Sequence, residues 1–199
     1  MVTEPNLDKL FEHFCEHFNN KIMWKLKGRQ LSKAVFDFFS AEAGKLGYRI
    51  EKEEYMHLDQ VWWSETSDIE LALEHELQER RAGKLIQKEV RHLIDIKAHR
   101  KVLIAYLSEP DERTLVTNVQ NWIKTHRFKI SYPPEEYMIV IGRPTTKEGK
   151  RVFLYRRYLF YYTGLPNGQP KDYIITQAKL VKGFERIKPL DATLNPPEH

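Results

Sequence analysis

Two short strands joined by a polar loop are predicted by the stretch HLDQVWWSETSDIELALEHE (residues 57–76). Residues 57–63 and 69–75 are rich in strand-forming side chains, and the polar residues 64–68 separate them. If the strands pair across this loop, partner numbers sum to about 132, which places Asp59 almost opposite Glu74.

Alternation along the second strand predicts which side chains share a face. One face is expected to hold Ile69, Leu71, Leu73 and His75 and to pack beneath helices; the other is expected to hold Glu70, Ala72, Glu74 and Glu76. Glu74 and Glu76 are then within reach of Asp59. The stretch therefore predicts a cluster of three carboxylates on a sheet.

Helices and further strands are predicted on both sides of this stretch from the spacing of apolar residues. The predicted order is a helix at 7–18, a helix at 31–46 ended by Gly47, a strand at 48–55, strands at 57–63 and 69–75, a helix around 85–94, a buried strand at 102–107 and a helix from Pro110 to about His126. This order predicts an α/β (α+β) fold with a mixed central sheet flanked by helices.

The C-terminal part is predicted to extend the sheet. A turn at 147–150 joins residues 137–142 to residues 151–162 as a hairpin. Residues 173–184 fit a helix or a strand equally well. We expect a single domain over 1–199, with its core at 30–107, a C-terminal helix and basic, aromatic β extension at 111–188, and a flexible tail at 189–199.

Composition limits the class of protein. The chain has 199 residues, 41% of them hydrophobic, enough for one substantial core. It has no run of about 18 apolar residues and an acidic N-terminus, so a cytoplasmic location is expected. Its one cysteine, Cys15, excludes an intramolecular disulfide and a multi-cysteine zinc site, and the phenylalanines around it favour a core position.

Charge is divided unevenly along the chain. Residues 1–100 carry 16 basic and 18 acidic side chains, whereas residues 101–199 carry 16 and 10. Within the basic half, Lys147, Lys150, Arg151, Arg156 and Arg157 are the candidates for phosphate contact. The tyrosines and phenylalanines between these arginines more simply fill the core or a dimer interface. The excess of basic side chains in residues 101–199 favours a polyanion such as DNA as the partner.

Three converging carboxylates repel one another unless a cation neutralises them. A hard divalent ion such as Mg²⁺ suits Asp59, Glu74 and the backbone carbonyl of His75, with a phosphate oxygen as a further ligand. A bound ion of this kind promotes phosphodiester hydrolysis. The plainer alternative is an exposed sheet face with solubilising charges, which we prefer for Glu70.

The order helix, three strands, helix, strand, with an aspartate on the second strand and Glu-x-Glu at the end of the third, resembles the PD-(D/E)XK (restriction-endonuclease-like) nuclease superfamily. The resemblance covers residues 30–107. It implies that Asp59 and Glu74 are metal ligands. Glu76 stands where the superfamily usually has lysine, a departure found in some Glu-x-Glu restriction enzymes and also expected in members that have lost catalysis.

The same resemblance suggests further site residues with weaker support. Glu42 is the nearest match to a helix glutamate that often joins the superfamily's site. Lys88 and Lys97 are candidates for a displaced catalytic lysine, and Glu76 is expected to be a further ligand or to orient the attacking water.

Other chemistries have little support in the sequence. His13 and His17 have a spacing that can hold zinc, but no further ligand is evident, so an exposed polar helix face is favoured. His75 is expected to be buried and hydrogen-bonded. The sequence has no Walker loop, Gly-x-Ser-x-Gly elbow or dinucleotide fingerprint.

The leading hypothesis is a nuclease dependent on Mg²⁺ (or Mn²⁺) and acting on DNA. Alternatives are a catalytically inactive nuclease-fold module that binds nucleic acid or a protein partner, and an oligomerisation domain, such as a homodimer, built on the aromatic strand.

Overall fold

The computed structural model describes residues 3–18, 26, 28–52, 57–77, 82–107, 109–127, 135–147, 150–164 and 170–177. Four helices and seven strands lie in these residues. In chain order they are α1 (Leu7–Phe18), α2 (Arg29–Leu46), β1 (Arg49–Lys52), β2 (Gln60–Trp63), β3 (Ile69–Glu76), α3 (Ala82–Asp95), β4 (Ala98–Tyr106), α4 (Glu109–Arg127), β5 (Glu135–Lys147), β6 (Lys150–Gly164) and β7 (Pro170–Gln177).

The strands form one mixed sheet in which spatial order follows chain order from β1 to β7. The pairs β3–β4 and β4–β5 are parallel, and the other neighbouring pairs are antiparallel. Each parallel pair is connected through a helix, α3 for the first and α4 for the second. Two neighbouring strands that run in the same direction need such a crossover connection, because the chain must return to the starting end of the sheet. The predicted α+β class with a mixed sheet between helices is confirmed.

Two hydrophobic cores lie on opposite faces of the sheet. On one face, side chains of α1 and α2 such as Phe14 and Phe39 pack on Leu71, Leu73 and Val102. On the other face, side chains of α3 and α4 pack on the strand residues that alternate with those of the first core. Because both faces are covered, β4 is a continuous apolar run from Val102 to Tyr106, as predicted for a buried strand.

The register of β2 and β3 brings the two acids together. Partner numbers sum to 133 at three positions, Gln60↔Leu73, Val61↔Ala72 and Trp62↔Leu71. β2 begins at Gln60, so Asp59 directly precedes the strand beside the level of Glu74.

Simple alternation fails at the first residue of β3. An irregularity between Trp62 and Trp63 pairs Trp63 with Ile69 and shifts the register by one residue. Ile69 therefore packs with Ala72 in the α3/α4 core, whereas Leu71 and Leu73 pack in the α1/α2 core. The prediction that Ile69 shares a face with Leu71 is wrong because an added residue reverses the side-chain direction.

Other sequence expectations have clear outcomes. The first helix spans the predicted residues, and Cys15 is buried in its core. Gly47 ends α2 in the left-handed conformation with φ 86°, where glycine lacks the steric cost of a side chain. The ambiguous segment forms β7 as far as Gln177, and residues 178–199 lie outside the described part. Across the described ranges, every helix is too short or too polar to cross a membrane.

Candidate metal centre

The centre is built around Glu74, which lies on β3 and is only 2% exposed. Its side chain points to the α3 side of the sheet, since Ala72, two residues earlier, packs in the α3/α4 core. Asp59 is within hydrogen-bonding reach of Glu74. The Asp59 carboxylate also accepts a 2.7 Å hydrogen bond from the backbone N–H of His75. The structure thus brings together the two acids that the sequence placed opposite each other.

Helix α3 adds two further side chains, Glu89 and His92. The Nδ1 atom of His92 lies 3.4 Å from Glu74 Oε1 and 3.3 Å from Glu89 Oε2. One potential ligand atom from each of Glu74, Glu89 and His92 falls within 4.8 Å of the others. Because the two helix residues are three apart, both side chains project from the same side of α3 toward the strand.

The electrostatics of the centre are dominated by burial and like charges. Burial raises the pKa of Glu74 to about 10, with the neighbouring carboxylates of Glu89 and Asp59 acting in the same direction. Carboxyl groups in such a cluster share protons unless a cation takes their place. The centre therefore fits a cation better than it fits three separate carboxylates.

Two buried atoms in the centre, Glu74 Oε1 and His92 Nδ1, have no hydrogen-bond partner among the described residues. Although they are 3.4 Å apart, the geometry does not qualify as a hydrogen bond. Buried polar atoms are normally satisfied, and each exception calls for an explanation. Carboxylate oxygens and an imidazole nitrogen within 4.8 Å of one another are a donor set that can hold a divalent metal ion, so these residues fit one.

The histidine next to Glu74 faces the opposite side of the sheet. The ring of His75 packs against Phe36, and its Nε2 lies 3.3 Å from the hydroxyl of Tyr106. Burial lowers the pKa of His75 to about 4. A buried, hydrogen-bonded His75 ring is confirmed, whereas its backbone carbonyl as a metal ligand stays a prediction. The backbone N–H of His75 contributes by orienting Asp59.

The third predicted acid lies outside the group of close ligand atoms. Glu76 is the last residue of β3 and is half-buried, whereas the atoms within 4.8 Å belong to Glu74, Glu89 and His92. The lysine candidates Lys88 and Lys97 are both exposed. Glu70 forms an ion pair with Arg100, so it is not the exposed solubilising charge that the sequence favoured.

Glu42 is held elsewhere. It is buried on α2, on the face opposite to α3, where its carboxylate accepts hydrogen bonds from Lys45 at 2.5 Å and from His13 at 3.0 Å. Burial alone would raise the pKa of Glu42, but the hydrogen bonds and positive charges of Lys45 and His13 together lower it. The structure does not bring Glu42 to the centre. His17 contacts the rings of Phe18 and Phe38.

Two of the predicted phosphate-binding arginines contact carboxylates of helices α1 and α4. Arg156 donates to Glu112 Oε1 of α4 at 3.0 Å, and Arg157 pairs with Asp8 of α1 over the ring of Phe11. Their side chains are only 11% and 6% exposed. The side chains of Lys147, Lys150 and Arg151 lie outside the described residues. The geometry therefore offers no support for a DNA surface at Arg156 or Arg157.

The two helix residues were not predicted, although the sequence contains a signal for them. Glu89 lies three residues after Ile86 and four before Leu93, both of which are buried, so it interrupts the apolar stripe of α3. A glutamate in such a stripe, followed at three residues by a histidine, indicates two ligands on an inward helix face. The Glu-x-x-His spacing supplies metal ligands in helical carboxylate proteins for this reason.

Comparison with known proteins leaves the family open. No protein-family profile and no curated protein matches the chain. Among solved structures, it is similar to the central domain of yeast acetyl-CoA carboxylase, with 10% identity over 65% of this chain and 24% of that one, at a TM-score of 0.34. It is also similar to the YaeQ protein of Pseudomonas syringae, with 11% identity over 60% of each chain, at a TM-score of 0.21. The chain spans about a quarter of the carboxylase structure, and neither likeness bears on function.

Proposed function

We propose that the protein is a metal-dependent nuclease that hydrolyses phosphodiester bonds in DNA, with Asp59 and Glu74 as metal ligands. The observation that carries the proposal is the position of Glu74: it is buried on an inner strand of a mixed sheet and interacts with the carboxylates of Asp59 and Glu89. Such a centre gains stability from a divalent cation, and a divalent cation is what the proposed phosphodiester hydrolysis requires.

The arrangement of strands around the centre also supports the proposal. The order α2, β1, β2, β3, α3, β4, with antiparallel pairing up to β3 and parallel pairing of β3 with β4, follows the pattern on which the sequence resembled the PD-(D/E)XK superfamily. Asp59, which directly precedes β2, and Glu74 on β3 are the residues that the resemblance expects to be metal ligands.

The residues of this chain have distinct roles in the proposed reaction. Asp59 and Glu74 hold the ion, and the His75 backbone N–H fixes the Asp59 carboxylate through its 2.7 Å hydrogen bond. The apolar residues of α3 and β3 exclude water from the inner side of the centre, while Glu89 and His92 keep 15% and 24% of their side chains exposed on its outer side. When bound, the ion supplies charge stabilisation at the phosphate and lowers the pKa of a coordinated water.

The test is cleavage of a fluorescent double-stranded DNA by the full chain with Mg²⁺ or Mn²⁺, using Asp59→Ala and Glu74→Gln. Both substitutions are expected to abolish cleavage while the circular dichroism spectrum stays that of the wild type. Glu65→Gln, at an exposed position in the β2–β3 loop, is the matched control and should retain full activity. Cleavage that persists in both site variants would contradict the proposal.

A second function is favoured by the lysine positions. Lys88 and Lys97 are exposed, and Glu76 stands where the superfamily usually has lysine. A module that keeps the fold and binds DNA or a protein partner without hydrolysis needs no such lysine. Salt-dependent DNA binding by a wild-type protein that shows no cleavage with either ion would support this second function.

A further inference from the structure

We infer that Glu89 and His92 are additional ligands of the centre and that it therefore selects a first-row transition-metal ion, Mn²⁺ or Zn²⁺, over Mg²⁺. The inference deepens the proposed function and rests on it for the assignment of Asp59 and Glu74 as ligands. It adds a nitrogen donor to a site that the sequence presented as all oxygen.

The imidazole of His92 lies next to two carboxylates without forming a hydrogen bond to either of them. His92 Nδ1 is 3.4 Å from Glu74 Oε1 and 3.3 Å from Glu89 Oε2. Neither contact meets hydrogen-bond geometry, so within the described part of the chain Nδ1 is a buried atom without a hydrogen-bond partner. A ring nitrogen directed between two carboxylates in this way is placed to share an ion with them.

The carboxylate oxygen of Glu74 that faces His92 also has no hydrogen-bond partner in the described ranges. The Glu74 side chain is 3% exposed and extends from an inner strand of the sheet, and its Oε1 has no donor in the described ranges. A buried carboxylate oxygen left in this state costs free energy that a bound cation removes.

The competing explanation is a purely structural ion pair. A protonated His92 between Glu74 and Glu89 would neutralise one of the negative charges and would need no metal. It would, however, be expected to donate from Nδ1 to one of the two carboxylates. Since Nδ1 makes no hydrogen bond to either of them, the geometry favours an ion held between the three side chains over a direct histidine–carboxylate pair.

The ligand set determines which ions are preferred. Mg²⁺ takes oxygen ligands and retains several waters, so an imidazole adds little to its affinity. Mn²⁺ and Zn²⁺ accept imidazole nitrogen together with carboxylates, and affinity rises from Mn²⁺ to Zn²⁺ along the first row. His92 is thus the residue that should separate these ions from Mg²⁺, and Glu89 should strengthen the binding of all three.

The experiment is calorimetric titration of the full, chelator-treated chain with MgCl₂, MnCl₂ and ZnCl₂ in the absence of DNA. Wild type should bind Mn²⁺ and Zn²⁺ at least about 100-fold more tightly than Mg²⁺. His92→Ala should reduce Mn²⁺ and Zn²⁺ affinity by about 100-fold, since even partners outside the ligand shell contribute about 10–100-fold. Its Mg²⁺ affinity should change by less than about 3-fold.

Two variants and one spectrum make the result specific. His99→Ala, at an exposed position in β4, is the matched histidine control and should leave all three affinities unchanged. Glu89→Gln preserves the shape of the side chain and should weaken every ion, so it serves if His92→Ala does not fold. Pulsed electron paramagnetic resonance of the Mn²⁺ complex should show an imidazole nitrogen coupling that His92→Ala removes.

The outcomes separate this inference from the proposed function. Equal Mg²⁺ and Mn²⁺ affinity in wild type and His92→Ala would overturn the inference even if DNA cleavage depends on Asp59 and Glu74. Selective binding that requires His92, without DNA cleavage, would uphold the inference and contradict the nuclease. Failure of all three ions to bind would overturn both and leave the structural ion pair as the explanation.

Discussion

Two buried glutamates lie on opposite faces of the same sheet, and their surroundings differ in the sign of the neighbouring charge. Glu42 is 6% exposed and Glu74 is 2% exposed, so burial penalises both. Glu42 contacts Lys45 and His13, which lower its pKa, whereas Glu74 lies beside Glu89 and Asp59, which add to the rise that burial causes. Burial alone therefore does not identify a functional site, but a buried acid with acidic neighbours is a candidate for one.

The largest expected effect comes from removing the charge of Glu74. Glu74→Gln should reduce Mn²⁺ affinity by at least about 100-fold because it replaces a ligand oxygen. In the presence of chelator it should raise the melting temperature at pH 8 by about 4–8 °C, the equivalent of about 2 kcal/mol for a chain of this size. Calorimetry and thermal melts measure the two effects.

A lower melting temperature of the metal-free Glu74→Gln protein would contradict this interpretation of the centre. It would mean that the carboxylate of Glu74 stabilises the fold without an ion, as that of Glu42 does. Glu65→Gln is again the control, because its side chain is exposed and any change there reflects the loss of surface charge alone.

The next effect is a difference in pH dependence between the two glutamates. The folded-state pKa of Glu74 is raised to about 10, so the folded protein holds a proton that the unfolded chain releases near pH 4.5. The metal-free protein should therefore lose stability as pH rises between these values, by at most about 1.4 kcal/mol per pH unit. Glu42 has a lowered pKa, so its contribution is present above its unfolded value and is lost as pH falls.

Urea unfolding at pH 5, 7 and 9 in chelator tests this difference. The stability gap between Glu74→Gln and wild type should widen as pH rises, and wild type itself should become less stable. A gap that stays constant across the three pH values would show that Glu74 does not retain its proton in the folded state.

A smaller effect is expected from Glu42→Gln. Lys45 and His13 are 66% and 52% exposed, so water screens both ion pairs and their combined contribution is about 0.5–1 kcal/mol. Glu42→Gln should be less stable than wild type at pH 7, and this difference should disappear as pH falls below the lowered pKa of the wild-type carboxylate. Mn²⁺ affinity should change by less than about 2-fold, and a large loss would place Glu42 in the metal centre after all.

The sequence predicted the strand side of the centre more completely than its helix side. Pairing across the short 64–68 loop brought Asp59 to Glu74 within one residue of the observed register, because a tight connection leaves few alternatives. Glu89 and His92 depend on how α3 crosses β3, which neighbouring residues do not determine. The register shift at Ile69 could not be predicted either, since one added residue does not visibly change the pattern of apolar residues.

The smallest effect is expected from Lys88→Ala, which tests the helix side most directly. Lys88 is exposed on α3, one residue before Glu89, and the resemblance made it a candidate for the catalytic lysine. An exposed side chain away from the centre should change stability by less than about 0.5 kcal/mol and DNA cleavage by less than about 2-fold. A cleavage loss of about 100-fold at unchanged Mn²⁺ affinity would instead mean that Lys88 reaches the phosphate when DNA is bound. In that case the centre around Glu74 would also have a basic side chain beside it when DNA is bound. The difference in neighbouring charge between Glu74 and Glu42 would then hold only for the protein without DNA.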